Sequence, residues 1–292
     1  MRHEYSLAHL TVLSLAPPQL VEVAARTGYE YVGVRITRVT PEEVLYDLAR
    51  DRALMRETKA RLSDTGVAVH DVELFRMDAS LEPEHFEPEL DATAELGAKH
   101  IIAQLPDPDR ERAAARFARL CDLAQQRGIF VSLEFPHWTE TGTLAEAARV
   151  VRAVNRPNAG ILIDMLHFGR SHSSQDELAQ LPREWFRFAH VCDAAIEVPP
   201  TMEGILRTAR DERQFPGEGG IPVREILARM PQDIPYALEI PRVTLTKAVG
   251  PEEVARLAIV VSRSHLDDSA GDRRASAAVR AATTSRVGAG AH

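Results

Sequence analysis

Eight short apolar runs, each followed by a longer stretch with helical periodicity, set the tightest limit on how this chain can fold. The runs are 5–10 (YSLAHL), 29–36 (YEYVGVRI), 67–75 (VAVHDVELF), 100–105 (HIIAQL), 129–135 (IFVSLEF), 159–165 (AGILIDM), 186–192 (FRFAHVC) and 235–240 (PYALEI). Strands separated by helices pair in parallel, because only a crossover can return the chain to the same end of a sheet. The intervening segments have the required pattern. In PPQLVEVAARTG, Leu20, Val21 and Ala24 share one helical face, with proline at the start and Gly28 at the stop. In DRERAAARFARLCDLAQQRG, Phe117, Leu120, Cys121 and Ala124 do the same before Gly128. Eight such units predict an α/β fold, a (β/α)8 TIM barrel, rather than an open doubly wound sheet. No G-x-G-x-x-G fingerprint follows the first run, which argues against a dinucleotide-binding alternative.

With 292 residues and 45% hydrophobic content, the chain can bury the core of one barrel, expected over 1–265. From 266 to 292 the composition turns to Ala, Ser, Arg and Gly, and a C-terminal extension is expected there, as an added helix or a disordered tail. A net charge of −8 with scattered cations excludes a nucleic-acid surface and favours small polar ligands. Cys121 and Cys192 sit in no C-x-x-C pair, which indicates a reducing compartment. The polar N-terminus and the lack of a membrane-length apolar run predict a cytoplasmic protein with no membrane partner. Assembly is left open, a homo-oligomer included.

The carboxyl ends of barrel strands build the active site of such a fold. Here the fifth run ends in Glu134, the sixth in Asp164, the seventh near His190 and the eighth in Glu239. Any one of these could cap a helix or pair with an arginine. Four on consecutive strands converge without help from a loop, and that much half-buried negative charge calls for a divalent cation. An oxygen-rich set with one nitrogen suits Mn²⁺ best, with Mg²⁺, Co²⁺ or Zn²⁺ as alternatives.

The segments SLEFPHW, ILIDMLHF, AHVCDA, RQFPGEGGI and ALEI, in that order, resemble the xylose-isomerase-like TIM-barrel superfamily, in its sugar phosphate isomerase/epimerase branch. Its relatives include ketose 3-epimerases, inosose dehydratase and 3-dehydroshikimate dehydratase. The resemblance implies one divalent metal held by Glu134, Asp164, His190 and Glu239. In the Asp-x-x-His step, His167 is placed to donate a hydrogen bond to a substrate oxygen or to orient the ligands. The family form has an acidic residue shortly after PGEG, where this chain has Pro222, so substrate contacts from that loop transfer less directly.

Further polar residues fall where a purely structural barrel would tolerate apolar ones: His9 in the first run, Arg35 ending the second and Glu73 in the third. Arg35 and Glu73 could equally pair with each other. His137 and Trp138 could wall the pocket. The segment after the seventh run is long enough to be a lid, and its Arg207, Arg210 and Arg213 could meet a substrate carboxylate or phosphate. The expected activity is isomerisation or epimerisation of a polyhydroxy ketone through an enediolate, with Glu134 and Glu239 as acid and base. A dehydratase or lyase on the same metal site ranks second. A metal-dependent hydrolase ranks third, because the core set has a single imidazole and the chain is acidic.

Overall fold

A computed structural model describes residues 3–267. Its strands are β1 (Tyr5–Leu7), β2 (Tyr31–Arg35), β3 (Ala68–Arg76), β4 (His100–Gln104), β5 (Phe130–Leu133), β6 (Ala159–Ile161), β7 (Ile163–Asp164), β8 (Ala189–Val191) and β9 (Tyr236–Leu238). All pair in parallel, in the order β6-β5-β4-β3-β2-β1-β9-β8-β7. The ninth strand is not an extra βα unit. β6 and β7 are one run interrupted at Leu162, whose N–H donates to Leu133 O at 3.0 Å. One half pairs with β5 and the other with β8, so this split strand brings the sheet round into a nearly closed TIM barrel.

The helices are α1 (Pro17–Thr27), α2 (Arg52–Thr65), α3 (Glu87–Glu95), α4 (Arg110–Gln125), α5 (Leu144–Val154), α6 (Met165–Arg170), α7 (Gln175–Gln180), α8 (Met202–Asp211), α9 (Val223–Leu227), α10 (Val243–Val249) and α11 (Pro251–Leu266). α1 begins at its two prolines and stops at Gly28, which takes φ 89°, a left-handed geometry that glycine adopts without steric cost. The segment after β8, expected as a lid, is not structureless: it folds into α8 and α9. No described helix is long and apolar enough to cross a membrane. Beyond Asp267, the expected extension lies outside the described residues.

Strand alternation divides the barrel into two faces. Val32 and Val34 of β2 pack in the large core beneath the helices, which sends Gly33 and Arg35 to the interior. The interior has only a small apolar plug of Leu74, Ile102, Leu162, Phe188 and Ala237. Above that plug the inward positions are polar or ionisable, and the apolar pattern breaks there. The first and seventh runs form shorter strands than expected. In the first, His9–Val12 coils into a 3-10 turn; in the seventh, only Ala189–Val191 has partners along β9.

Candidate metal centre

Glu134 follows β5, Asp164 ends β7, His190 is central in β8 and Glu239 follows β9. Register places them at one height: Asp164 pairs with His190, and the Glu239 N–H donates to Val191 O at 3.2 Å. Each of the four offers a ligand atom, all of these atoms lie within 4.8 Å of one another, and all four residues are buried. His190 Nδ1 is 3.3 Å from Glu239 Oε2 and 3.7 Å from both Glu134 Oε1 and Asp164 Oδ2. Neither ring nitrogen of His190 has a hydrogen-bond partner. Three carboxylates converging on an imidazole that hydrogen-bonds to nothing form a donor set that fits a divalent cation.

Electrostatics sharpen this picture. Burial alone would lower the His190 pKa, but Glu239, Asp164 and Glu134 together hold it well above the usual imidazole range. Burial opposes ionisation of Asp164, yet Arg213, His167 and His190 outweigh it and hold the carboxyl well below its ordinary range. The Glu134 pKa is likewise lowered against burial, by His190 and His167. Arg213 is the main counter-ion. Its Nη1 donates to Asp164 Oδ2 at 2.6 Å, its Nη2 lies 2.7 Å from Glu239 Oε2, and its Nε donates to Ala209 O at 2.8 Å.

The other expected residues divide between those that reach the cavity over this cluster and those that do not. His167, Trp138, Arg35, Glu73, Arg210 and Arg213 line it. The backbone N–H of His167 donates to Asp164 Oδ1 at 3.1 Å, making Asp164 the cap of α6. The His167 ring meets His137 Nδ1 at 3.3 Å and the Trp138 ring edge-on at 5.0 Å. Burial lowers the His167 pKa against the pull of Asp164 and Glu134. His137 supports His167 and is not among the cavity-lining residues. Arg35 and Glu73 do pair, at 2.6 Å, while still bordering the cavity. His9 stands apart: its Nε2 faces Leu15 O at 2.8 Å and its Nδ1 accepts from the Arg35 N–H at 3.0 Å. Both ring nitrogens serve the backbone, which makes His9 a core histidine holding the turn after β1.

Sequence reasoning gave no role to two further residues. Gln104 ends β4 and donates to Glu134 Oε2 at 2.6 Å, which fixes that carboxylate and leaves Oε1 toward His190. Asp193 accepts from the N–H groups of Ala194, Gly217, Gly219 and Ile221. A Cβ on Gly219 would come within 2.3 Å of Asp193 Oδ1, so the chain needs glycine there to wrap the carboxylate. The available cue was AHVCDA followed by PGEGGI, an acid ahead of a glycine-rich turn.

Beneath the site, Asp71 of β3 is fully buried and neither carboxylate oxygen has a hydrogen-bond partner. Burial, opposed by His190 and reinforced by Glu73, Glu239 and Glu134, pushes its pKa from 3.8 up to about 8. The unfolded chain loses this proton near its ordinary pKa, whereas the folded protein keeps it until about pH 8. Stability from this group is therefore full below the unfolded value and is lost as pH rises through that window. At about 1.4 kcal/mol per pKa unit, the loss is on the order of a few kcal/mol. Urea denaturation of chelator-treated protein at pH 5 and pH 8.5 should show a fall to which the raised His190 imidazole also contributes, and Asp71→Asn should make that fall smaller by the Asp71 share. An unchanged pH dependence in the variant would contradict the assignment.

Comparison with known proteins fits this geometry. The family model described as xylose isomerase-like TIM barrel matches residues 21–264. An inosose isomerase of Bacillus velezensis is 25% identical over 220 residues, 70% of this chain and 74% of that protein. The match to an inosose isomerase of Bacillus licheniformis, 26% identical, spans 47% of this chain and only 51% of that relative. A 3-dehydroshikimate dehydratase of Pseudomonas aeruginosa is 29% identical over 111 residues, 38% of this chain and 17% of the dehydratase. Among solved structures, the IOLI protein with a binding zinc atom superposes with a TM-score of 0.73 at 21% identity, covering 90% of this chain and 99% of that one. At that identity the likeness establishes the fold.

Proposed function

Because this chain belongs to the xylose isomerase-like TIM barrel family, we propose that it is a divalent-metal-dependent isomerase or epimerase of a polyhydroxy ketone, with Glu134 and Glu239 moving the proton. The observation that carries this reading is the presence of two buried carboxylates, on β5 and after β9, facing one imidazole within a single donor set. Glu134, Asp164, His190 and Glu239 would hold the cation, which supplies charge neutralisation at a substrate carbonyl oxygen.

The chain's own residues do the rest. Glu134, ionised and fixed by Gln104, is placed to take a proton from the carbon beside the carbonyl. Glu239, held by Arg213, faces the cluster from the opposite part of the ring and returns the proton. Its return to the other face of the same carbon gives epimerisation, and its return to the neighbouring carbon gives isomerisation. His167, whose lowered pKa keeps it neutral, donates a hydrogen bond to substrate rather than a charge. Trp138 lines the cavity and gives it an aromatic wall. Elimination of a β-hydroxyl is the second reading, supported by the segment shared with the dehydratase.

Solvent exchange tests the shared first step. With Mn²⁺ in D₂O, the protein should place deuterium beside the carbonyl of its substrate among keto-inositols, ketoses and 3-dehydroshikimate, and a chelator should abolish this. Epimer, isomer or unsaturated product in the same spectra selects between the two readings. Cleavage of a phosphodiester with no exchange on any ketone would overturn both. Metal analysis should give one ion per chain, with Mn²⁺ expected ahead of Mg²⁺, Co²⁺ and Zn²⁺.

A further inference from the structure

The cavity directly over the ligand cluster is about 50 Å³, far below the roughly 300–1,000 Å³ typical of small-molecule sites. A second cavity of about 930 Å³ adjoins it, between the turn after β1, α8 and α10. Leu10 and Arg210 belong to the walls of both. The small cavity can take the chelating end of a substrate, and the remainder has to extend into the large one. Leu206, Pro241 and Val243 give that larger space apolar walls.

Of the cations lining the two cavities, several are engaged; Arg207 and Lys247 belong to the large cavity alone, and Arg210 is the cation on the wall common to both. Arg35 is paired with Glu73 and Glu43, Arg213 with Asp164 and Glu239, and Arg242 with Glu218. Arg210, in the last turn of α8 and half-buried, makes no hydrogen bond or ion pair among the described residues. Glu43, the acid whose charge bears most on Arg210, already serves Arg35 at 3.5 Å and accepts from the Val39 N–H at 2.9 Å. A partly desolvated guanidinium without a partner is costly, and a planar oxyanion is its best complement.

We propose that the substrate is an anion: a polyhydroxy ketone bearing a carboxylate or phosphate, which Arg210 grips at the junction while the hydroxy-ketone end faces Glu134 and Glu239. This rests on the proton-transfer reading of the site and adds the substrate's charge to it.

The test pairs binding with exchange. Calorimetry on the Mn²⁺-loaded protein with quinate, myo-inositol 1-phosphate and myo-inositol should show one of the two anions binding at least about tenfold tighter than the neutral cyclitol. Which anion prevails identifies carboxylate or phosphate as the group recognised. Arg210→Gln should erase the preference, a loss of roughly ten- to a hundredfold, and Arg210→Lys should retain part of it. In exchange kinetics, Arg210→Gln should raise KM for the anionic ketone with kcat little changed. Equal binding of all three probes to the wild-type protein, or a preference that survives Arg210→Gln, would overturn the inference. Robust exchange on a neutral keto-inositol that Arg210→Gln leaves unaltered would overturn it while preserving the proton-transfer reading. An Arg210-dependent anion preference with no exchange on any ketone would remove that reading instead.

Discussion

Glu134→Gln and Glu239→Gln should each lower solvent-proton exchange by ~10² to 10⁴, the contribution typical of a positioned general acid or base. The amide keeps the shape of the side chain but cannot accept the proton, and it is a poorer cation ligand. The two positions should differ in detail. At 134 the new amide meets Gln104, which now donates to Glu134 Oε2 at 2.6 Å and can satisfy a glutamine oxygen equally well, so the fold should be undisturbed. At 239 the change removes one of the two carboxylates that Arg213 contacts, at 2.7 Å, and should cost some stability in addition. Exchange rates, bound metal by mass spectrometry and circular dichroism, taken together, separate lost chemistry from lost metal. Near-wild-type exchange in either variant, with metal still bound, would sink the acid/base assignment.

Arg213→Gln should destabilise the metal-free protein by ~3–5 kcal/mol, the usual consequence of removing one partner from a buried ion pair. Glu134, Asp164 and Glu239 converge on His190, and Arg213 reaches two of the three at 2.6 and 2.7 Å. Without it the cluster loses its fixed positive charge and holds excess negative charge in the barrel interior. Thermal unfolding in the presence of a chelator should fall by roughly ten degrees. Added Mn²⁺ should then raise the melting temperature of the variant by more than that of the wild type, since a ligand stabilises in proportion to its affinity for the folded state. Identical melting in chelator would mean that the three carboxylates are compensated by some other group.

The sequence by itself determined the barrel and the cluster of ionisable side chains at its rim, for a local reason. A strand's apolar run and the residue at its carboxyl end are adjacent in the chain, and parallel pairing puts every such end on one rim. Glu134, Asp164, His190 and Glu239 could therefore be named from their positions within ILIDM, FRFAHVC and similar runs. The tertiary structure decided which atoms face one another. Arg213 comes 49 residues after Asp164, and only barrel closure sets its guanidinium against that carboxylate. Arg35 and Glu73 are 38 apart and could have been substrate contacts, a bridge or both; strand register made them a bridge at the cavity edge. His9 looked like a site residue until the turn after β1 consumed both of its ring nitrogens. Gln104 carries no local pattern, and Asp193 only the cue of an acid ahead of a glycine-rich turn, because a hydrogen bond to a neighbouring strand or loop leaves no periodicity in sequence. Periodicity reports which face of an element is buried, whereas partner identity depends on register and closure, which exist only once the chain has folded.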